Sequence, residues 1–486
     1  MRLSELLREV EFEGSIKNDF DIKFVTDDSR LVIPGALFVC IRHRSFDGHT
    51  AAAEALASGA AAVVTQERLG LENELNVADS RAAYARLCAA LCGHPERKLR
   101  MIGVTGTNGK TTVTTLIRNI LSDSGIKTLL TGTVCNRLGE ESLPSGLTTP
   151  KPPELYSLLS RAVLSGCEAC VAEASSQALA QGRLEGIAFD AAVFTNITRD
   201  HLDYHGTFEN YLAAKKKLFE HSEVSAVNLD DPRADEIIAA SSGKTVTFST
   251  VLDCADYTAK NISLLPEGVS FELVSKGRIE HINFASPGLF SVSNAMAAVA
   301  CAINLGVDPR SAAQSLARSK GVCGRLERVE CGTPYSVIID YAHTPDGLEQ
   351  VLRALRPSCR GKLIVLFGCG GDRDKTKRPL MGAAACKYAD TVIVTSDNPR
   401  SEEPMRIIGD ILKGTDKKRR GLFIEEDRRR ATALALSLAK PGDTVLLAGK
   451  GHEKYQLICG EKLPLDERET VREILGLPHD TGRKKP

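Results

Sequence analysis

The chain carries no excess of either charge, with 62 Lys and Arg against 62 Asp and Glu. That balance removes the electrostatic footprint of a dedicated nucleic-acid binder and of a protein that docks on acidic membranes, so any anionic substrate must be gripped locally. Long apolar runs are missing too. No stretch approaches the roughly 20 uninterrupted apolar residues that a membrane span needs. The opening MRLSELLREVEFEG alternates charge with leucine where a signal peptide has an apolar core, so a cytoplasmic location is expected. The 14 cysteines form no framework, because only Cys88 with Cys92 and Cys167 with Cys170 are close pairs. Both pairs read as small core residues, one in an alanine-rich helix and one leading into an apolar strand. No internal repeat or low-complexity tract is visible.

What is present is ordinary globular sequence, 43% hydrophobic and 26% charged over 486 residues. At roughly 100 to 200 residues per domain this length predicts about three domains. Up to residue 97 the pattern is short strand and helix units: ALFVCI, an alanine-rich helix over 50–58, AAVVTQ and RAAYARLCAALC, followed by the linker-like HPERKLR. From MIGVT onward, the apolar runs LLTGTV, CVAEAS, AAVFTNI and AVNLD alternate with helical stretches, which predicts a doubly wound, mostly parallel sheet. In the helix after MIGVT, Val113, Leu116, Ile117, Ile120 and Leu121 share one face, and Gly125 marks its C-terminal cap. Between 245 and 285 the segments TVTFST, VSFELV and RIEHINFA predict a small antiparallel appendage. After about 328, SVIIDYA, KLIVLFG, TVIVTS and TVLLAG predict a second Rossmann-like unit, and the tail from Pro478 reads as frayed. The expected fold is α/β with three domains, at 1–97, 98–328 and 329–486.

The strand MIGVT runs into GTNGKTT and then a helix. In that context glycines let backbone N–H groups wrap an anion while the helix N-terminus adds its dipole. Lys110 would bridge the outer phosphates and the Thr111 hydroxyl would take Mg2+. The strict G-x-x-x-x-G-K-[ST] form fails, because Val104 stands five positions before Gly109.

The variant Gly106-Thr-x-Gly-Lys-Thr111 resembles the loop of the Mur ligase family, ATP-dependent amide ligases of peptidoglycan synthesis that also include the folylpolyglutamate synthases. Collinear segments extend the resemblance over the whole chain, among them DDSR (27 to 30), TTP (148 to 150), EASSQALAQGR (173 to 183), NITRDHLDYHG (196 to 206), AAK (213 to 215), SNAMAA (293 to 298), GRLE (324 to 327), DYAHTPD (340 to 346), GCGGDRDKTKRPLM (368 to 381), SDNPR (396 to 400) and AGKGHE (448 to 453). The pattern is most similar to the members that add meso-diaminopimelate to UDP-N-acetylmuramoyl-L-Ala-D-Glu through an acyl phosphate. Such chemistry puts charge on phosphate and on a tetrahedral oxyanion, so Mg2+ and fixed cations are the main levers.

The resemblance implies roles for particular residues. ATP would be held by Thr105, Gly106, Thr107, Asn108, Gly109, Lys110 and Thr111, with Asn294, Arg325, Asp340 and His343 reaching the nucleotide from later segments, the last two only after domain closure. Lys110, Glu173, His201 and Lys215 would be catalytic. Thr111, Glu173, His201 and Lys215 would hold metal, Lys215 as an N-carboxylated side chain made with carbon dioxide. Three consecutive helical lysines cannot share one face, so Lys216 and Lys217 are read as solvated. The UDP-sugar peptide would be anchored by Asp27, Ser29, Arg44, Ser45 and Phe46, and by Thr148, Thr149, Ser175, Gln181 and Arg183. Two departures fall there: His43 replaces a common glycine, and Leu147 replaces a polar residue before the Thr pair. Diaminopimelate would meet Arg373, Asp397, Asn398, Pro399, Arg400, Gly449 and Glu453. Arg400 offers a planar fork for the distal carboxylate, which lysine lacks. Cys369, between glycines, reads as a small loop residue because no base is placed beside it. A monomer is expected. The alternatives are a lysine-adding ligase, a P-loop kinase or NTPase in which the third domain regulates, and a silent scaffold.

Overall fold

A computed structural model describes residues 1–43, 46–265, 268–319, 321–416 and 419–478. The expected fraying of the tail, apart from Pro478, falls outside these residues. Three open α/β sheets follow one another along the chain. The first is a four-stranded parallel sheet in the order Phe24–Thr26, Ala36–Val39, Ala60–Thr65, Glu74–Asn76.

The central sheet has eleven strands. Its parallel body runs Lys244–Ser249, Ser222–Asn228, Phe189–Phe194, Arg100–Thr105, Ala169–Glu173, Thr128–Thr131. Arg100–Thr105 lies in the middle. The chain leaves it toward Thr128–Thr131 on one side and later fills Phe189–Phe194 on the other, so a topological switch opens a crevice at its carboxyl end. The helix that follows, Lys110–Asp123, buries all five residues of its predicted apolar face, packed with Leu289–Asn304. Gly125 sits one residue beyond the cap residue Ser124, with φ of +87°. The Ile126 N–H bonds back to the Leu121 carbonyl, the usual way a helix end satisfies its last acceptors.

The antiparallel segment is smaller than predicted. TVTFST joins the parallel body, because Lys244–Ser249 pairs in parallel with Ser222–Asn228. Only Tyr257–Leu265, Gly268–Ser275 and Arg278–Phe284 form the antiparallel meander, continuous with the main sheet. At the opposite edge Asn136–Leu138 and Glu141–Leu143 form a hairpin that the pattern of apolar runs did not signal.

The third sheet runs Glu327–Arg328, Ser336–Asp340, Thr444–Ala448, Leu363–Phe367, Thr391–Val394, Leu422–Ile424, parallel except for its first strand. This sheet therefore begins at residue 327. Helices Pro345–Leu355, Lys377–Tyr388 and Pro404–Leu412 pack in one core cluster and Arg428–Leu438 and Glu467–Ile474 in another. The first and central sheets share a core through Ser80–Leu91 and Pro152–Leu164. Cys88, Cys167 and Cys170 are buried in that core, as expected. Among the described residues no helix is long and apolar enough to cross a membrane.

Candidate active site

The turn after Arg100–Thr105 is the floor of the site. Gly109 has φ of +87°, and a Cβ there would lie 2.5 Å from Asn294 Oδ1, so only glycine lets the loop enter its helix with Asn294 beside it. Asn196 braces the loop, its Oδ1 accepting the Asn108 N–H (2.9 Å) and its Nδ2 donating to the Asn108 carbonyl (3.1 Å). Thr107 Oγ1 accepts the Thr198 N–H (2.9 Å) and shares a hydrogen bond with the Tyr211 hydroxyl (2.9 Å). Lys110 Nζ donates to the carbonyls of Gly106 (2.7 Å) and Thr107 (2.9 Å). Burial holds that ammonium below the ordinary lysine value, against the pull of Glu173 and Asp200. Thr105 and Gly106 lie beneath this loop rather than in the cavity wall.

Glu173 ends its strand 1% exposed. Its two oxygens accept the Thr133 N–H (2.8 Å) and hydroxyl (2.9 Å), which aims the carboxylate at the loop side of the cavity. Thr148 Oγ1 lies 3.1 Å from the Thr133 hydroxyl, and Thr149 donates to the Glu173 carbonyl (2.6 Å). Arg183 donates to the Thr149 carbonyl (2.7 Å) and twice to Gln181 Oε1 (3.0 and 2.7 Å), and Ser175 Oγ lies 3.1 Å from Thr149 Oγ1.

His201 has a left-handed backbone (φ +53°) just before Leu202–His205, and its N–H bonds to Asp200 Oδ1 (2.8 Å). Burial lowers the imidazole's pKa. Lys215, on Phe208–Lys216, is 1% exposed with Nζ 4.5 Å from the Tyr211 ring centre. Burial, reinforced by Lys110, holds it well below the ordinary lysine value. Lys216 is half-buried and Lys217 exposed, so the helix turns only one of the three lysines inward.

The third sheet closes over this floor. Arg325 stacks on Tyr341 (4.6 Å to the ring centre) and reaches Thr111 Oγ1 (3.3 Å). Asp340 accepts the N–H groups of Leu326 and Ala342 (2.7 Å each), which ties GRLE to DYAHTPD, and burial raises its pKa. Burial, with Lys377 nearby, pushes His343 down to about 4. Asp346 Oδ2 accepts from Asn108 Nδ2 (3.0 Å) and the Thr198 hydroxyl (3.4 Å). The third sheet therefore touches the phosphate loop directly through Asp346, and Asp340 and His343 line the same cavity as that loop.

The D-N-P-R segment follows Thr391–Val394. Arg400 is left-handed (φ +55°), pairs through its backbone with Leu457 (3.0 Å) and Cys459 (2.7 Å), and donates from Nη1 to the Gly371 carbonyl (2.7 Å). Gly449 approaches Asp397 so closely that a Cβ would lie 2.5 Å from its Oδ2. Asn398 Nδ2 donates to Glu453 Oε2 (2.9 Å). Pro399 lies outside the cavity wall. Cys369 is buried, its thiol raised to about 12 by burial, as suits an inert packing residue.

One cavity of about 630 Å³ is lined both by Thr107 to Thr111 and by Arg373, Asp397, Asn398, Arg400 and Glu453. Among the described residues no three His, Cys, Asp or Glu side chains converge into a ready-made metal cluster.

Three family models match in order along the chain: "Mur ligase family, catalytic domain" over residues 21–89, "Mur ligase middle domain" over 104–302, and "Mur ligase, glutamate ligase domain" over 324–451. A UDP-N-acetylmuramoyl-L-alanyl-D-glutamate--2,6-diaminopimelate ligase of Syntrophomonas wolfei subsp. wolfei is 43% identical over 98% of this chain and 99% of its own. The chain belongs to the Mur ligase family. A protein of the same description from Clostridium tetani is 41% identical over 98% of this chain and 99% of its own. A solved structure of that ligase type, 34% identical, superposes with a TM-score of 0.71 and covers 98% of this chain and 99% of its own.

In this Mur ligase the first-sheet candidates stand apart from the cavity. Asp27 accepts from Tyr84 (3.2 Å) and Lys151 (3.0 Å) and lies 3.6 Å from His43, while Phe46 is exposed. Neither they nor Ser29 line the cavity, and Arg44 and Ser45 lie outside the described residues. Sequence reasoning passed over Asn196, Tyr211, Asp346 and Lys450. Each lies in or beside a segment already singled out, but only the fold shows which member of a segment turns inward.

Proposed function

We propose that this Mur ligase joins meso-diaminopimelate to the D-glutamate of UDP-N-acetylmuramoyl-L-Ala-D-Glu at the expense of ATP, in cytoplasmic peptidoglycan precursor synthesis, and that it acts as a monomer. The observation that carries the reading is that one cavity is lined by both the phosphate loop and the D-N-P-R loop. A kinase or switch NTPase has no use for the second loop. The diaminopimelate ligases to which the chain is similar over almost its whole length support the same substrate.

The division of labour follows the three segments 1–97, 98–328 and 329–486. Asp27, Ser29 and the segment Arg44 to Phe46 take the uridine end, and Thr148, Thr149, Ser175, Gln181 and Arg183 lead the peptide toward Glu173. The phosphate loop takes ATP, with Asn294, Arg325, Asp340 and His343 on the nucleotide. Thr111 and Glu173 offer oxygen donors on the loop side of the cavity, a set that fits Mg2+. A Mg2+ ion held there would supply neutralisation of charge on the phosphate oxygens. Lys110 and Arg325 sit where the γ-phosphoryl group would pass to the glutamate carboxylate, and they stabilise charge without forming a bond. Burial favours the neutral amine of Lys215, the form that reacts with carbon dioxide, and the resulting carbamate, formed with release of a proton, would place an anion near His201 suited to a second metal. With the third sheet resting on the loop through Asp346, water is kept from the acyl phosphate while the amine, presented from Arg400 and Glu453, attacks it.

The test is mass spectrometry of products from ATP, Mg2+ and UDP-N-acetylmuramoyl-L-Ala-D-Glu with meso-diaminopimelate or L-lysine in parallel. Tripeptide from diaminopimelate alone is expected. Product from lysine instead overturns the specificity, and ADP without tripeptide overturns the ligase reading.

A further inference from the structure

Lys450 stands between Gly449 (φ +107°) and Gly451 (φ +53°), two left-handed residues that fold the AGKGHE segment into a tight turn. Its side chain is 0% exposed. The ammonium donates to Asn398 Oδ1 (2.8 Å) and Glu453 Oε2 (2.7 Å). Asn398 Nδ2 donates to the same Glu453 oxygen, so three side chains close a ring. Asn398 Oδ1 also accepts the Leu457 N–H (2.8 Å), and two donors on that oxygen fix which way the amide faces.

Asn398 and Glu453 line the cavity, whereas Lys450 lies behind them. The local backbone does not depend on the lysine. Gln456 donates to the Asp397 carbonyl (2.6 Å) and Arg428 to the Ala448 carbonyl (2.7 Å), holding both loops from other directions. Removing the ammonium would therefore leave Asn398 tied to the Leu457 N–H and Glu453 with only the neutral Asn398 amide as its partner, while both loops stay in place. Glu453 and Arg400 line the same cavity, and the carboxylate favours the charged guanidinium. Without Lys450 the carboxylate would be drawn to that guanidinium, and one internal ion pair would occupy both groups that a distal ammonium and carboxylate need.

We infer that Lys450 is a positioning residue of the amino-acid pocket, holding Glu453 apart from Arg400 so that acceptor and donor stay available to the two distal groups of diaminopimelate. This rests on the amino-acid assignment made above. Steady-state kinetics of the full-length enzyme with Lys450→Met and Lys450→Gln test it. Loss of two charge-assisted hydrogen bonds predicts a KM for diaminopimelate raised about 10- to 100-fold in Lys450→Met. The KM values for ATP and the UDP-dipeptide, and kcat at saturating amino acid, should stay within about twofold. Lys450→Gln keeps a donor to Asn398 without the charge, and should raise the same KM by about tenfold. It carries the test if Lys450→Met does not accumulate in folded form. An unchanged diaminopimelate KM overturns the inference, as does a parallel rise in all three KM values or the failure of both variants to fold, since either marks a scaffold role. A wild-type enzyme that makes no tripeptide from diaminopimelate overturns the underlying assignment instead.

Discussion

Arg428 and Glu467 form a buried ion pair next to the D-N-P-R segment, each side chain 1% exposed, with Arg428 Nη2 2.7 Å and Nε 2.9 Å from Glu467 Oε1. Arg428 also donates to the carbonyls of Ala448 (2.7 Å) and Ser396 (3.4 Å), while Glu467 Oε2 has no partner. Arg428→Met keeps the volume and removes the charge, leaving a buried carboxylate uncompensated. Breaking such a pair costs about 3–5 kcal/mol. At about 2–4 °C per kcal/mol for a folding unit of this size, that lowers the melting temperature of the C-terminal unit by roughly 6–20 °C. Burial pushes the Glu467 carboxyl above its ordinary value, and Arg428 pulls it back. The variant loses the pull, so its folded-state value rises further. A carboxyl raised in the folded state costs nothing below its unfolded value of about 4.3, and costs progressively more as pH rises through the folded value. The gap from wild type should therefore widen between about pH 5 and about pH 8. Differential scanning calorimetry at the two pH values measures it. Arg428→Met with Glu467→Leu should recover most of the loss, because an apolar pair replaces the ionic one. A shift under about 3 °C in the single variant, or no recovery in the double variant, would refute the assignment of the loss to a stranded carboxylate.

Two further substitutions address the chemistry. Lys215→Ala should lose about 10²–10³-fold in kcat, with part of it restored by added formate or acetate, and undiminished turnover would contradict the carbamate. Arg400→Lys replaces a fork with a point charge and gives up the bond to the Gly371 carbonyl, so KM for diaminopimelate should rise about 10- to 100-fold with ATP binding intact; an unchanged KM for the amino acid counts against the specificity reading.

Much of this architecture is legible in one dimension because it depends on short-range periodicity. The apolar face of Lys110–Asp123 and the continuous apolar strands announce buried parallel sheets, since a strand covered on both faces has no polar alternation. The phosphate loop is equally local, being a strand, a glycine turn and a helix start in immediate succession. TVTFST was misplaced because a six-residue apolar alternation has the same period in either sheet type, and only its partner Ser222–Asn228 makes it parallel. The hairpin at Asn136–Leu138 and Glu141–Leu143 is too short and polar to stand out.

Within the site, the sequence by itself singled out most of the segments that line the cavity and, through helical geometry, showed that only one of Lys215, Lys216 and Lys217 can face inward. It did not determine what those segments meet. That Asn108 bonds Asp346 across 238 residues is decided by the packing of the third sheet on the central one, and that Asp340 fastens GRLE and Lys450 holds Asn398 and Glu453 as a ring by the folding of the third sheet itself. The physical reason is that a polar side chain's role is set by the partner that compensates its burial, and partners distant along the chain are chosen by the tertiary fold.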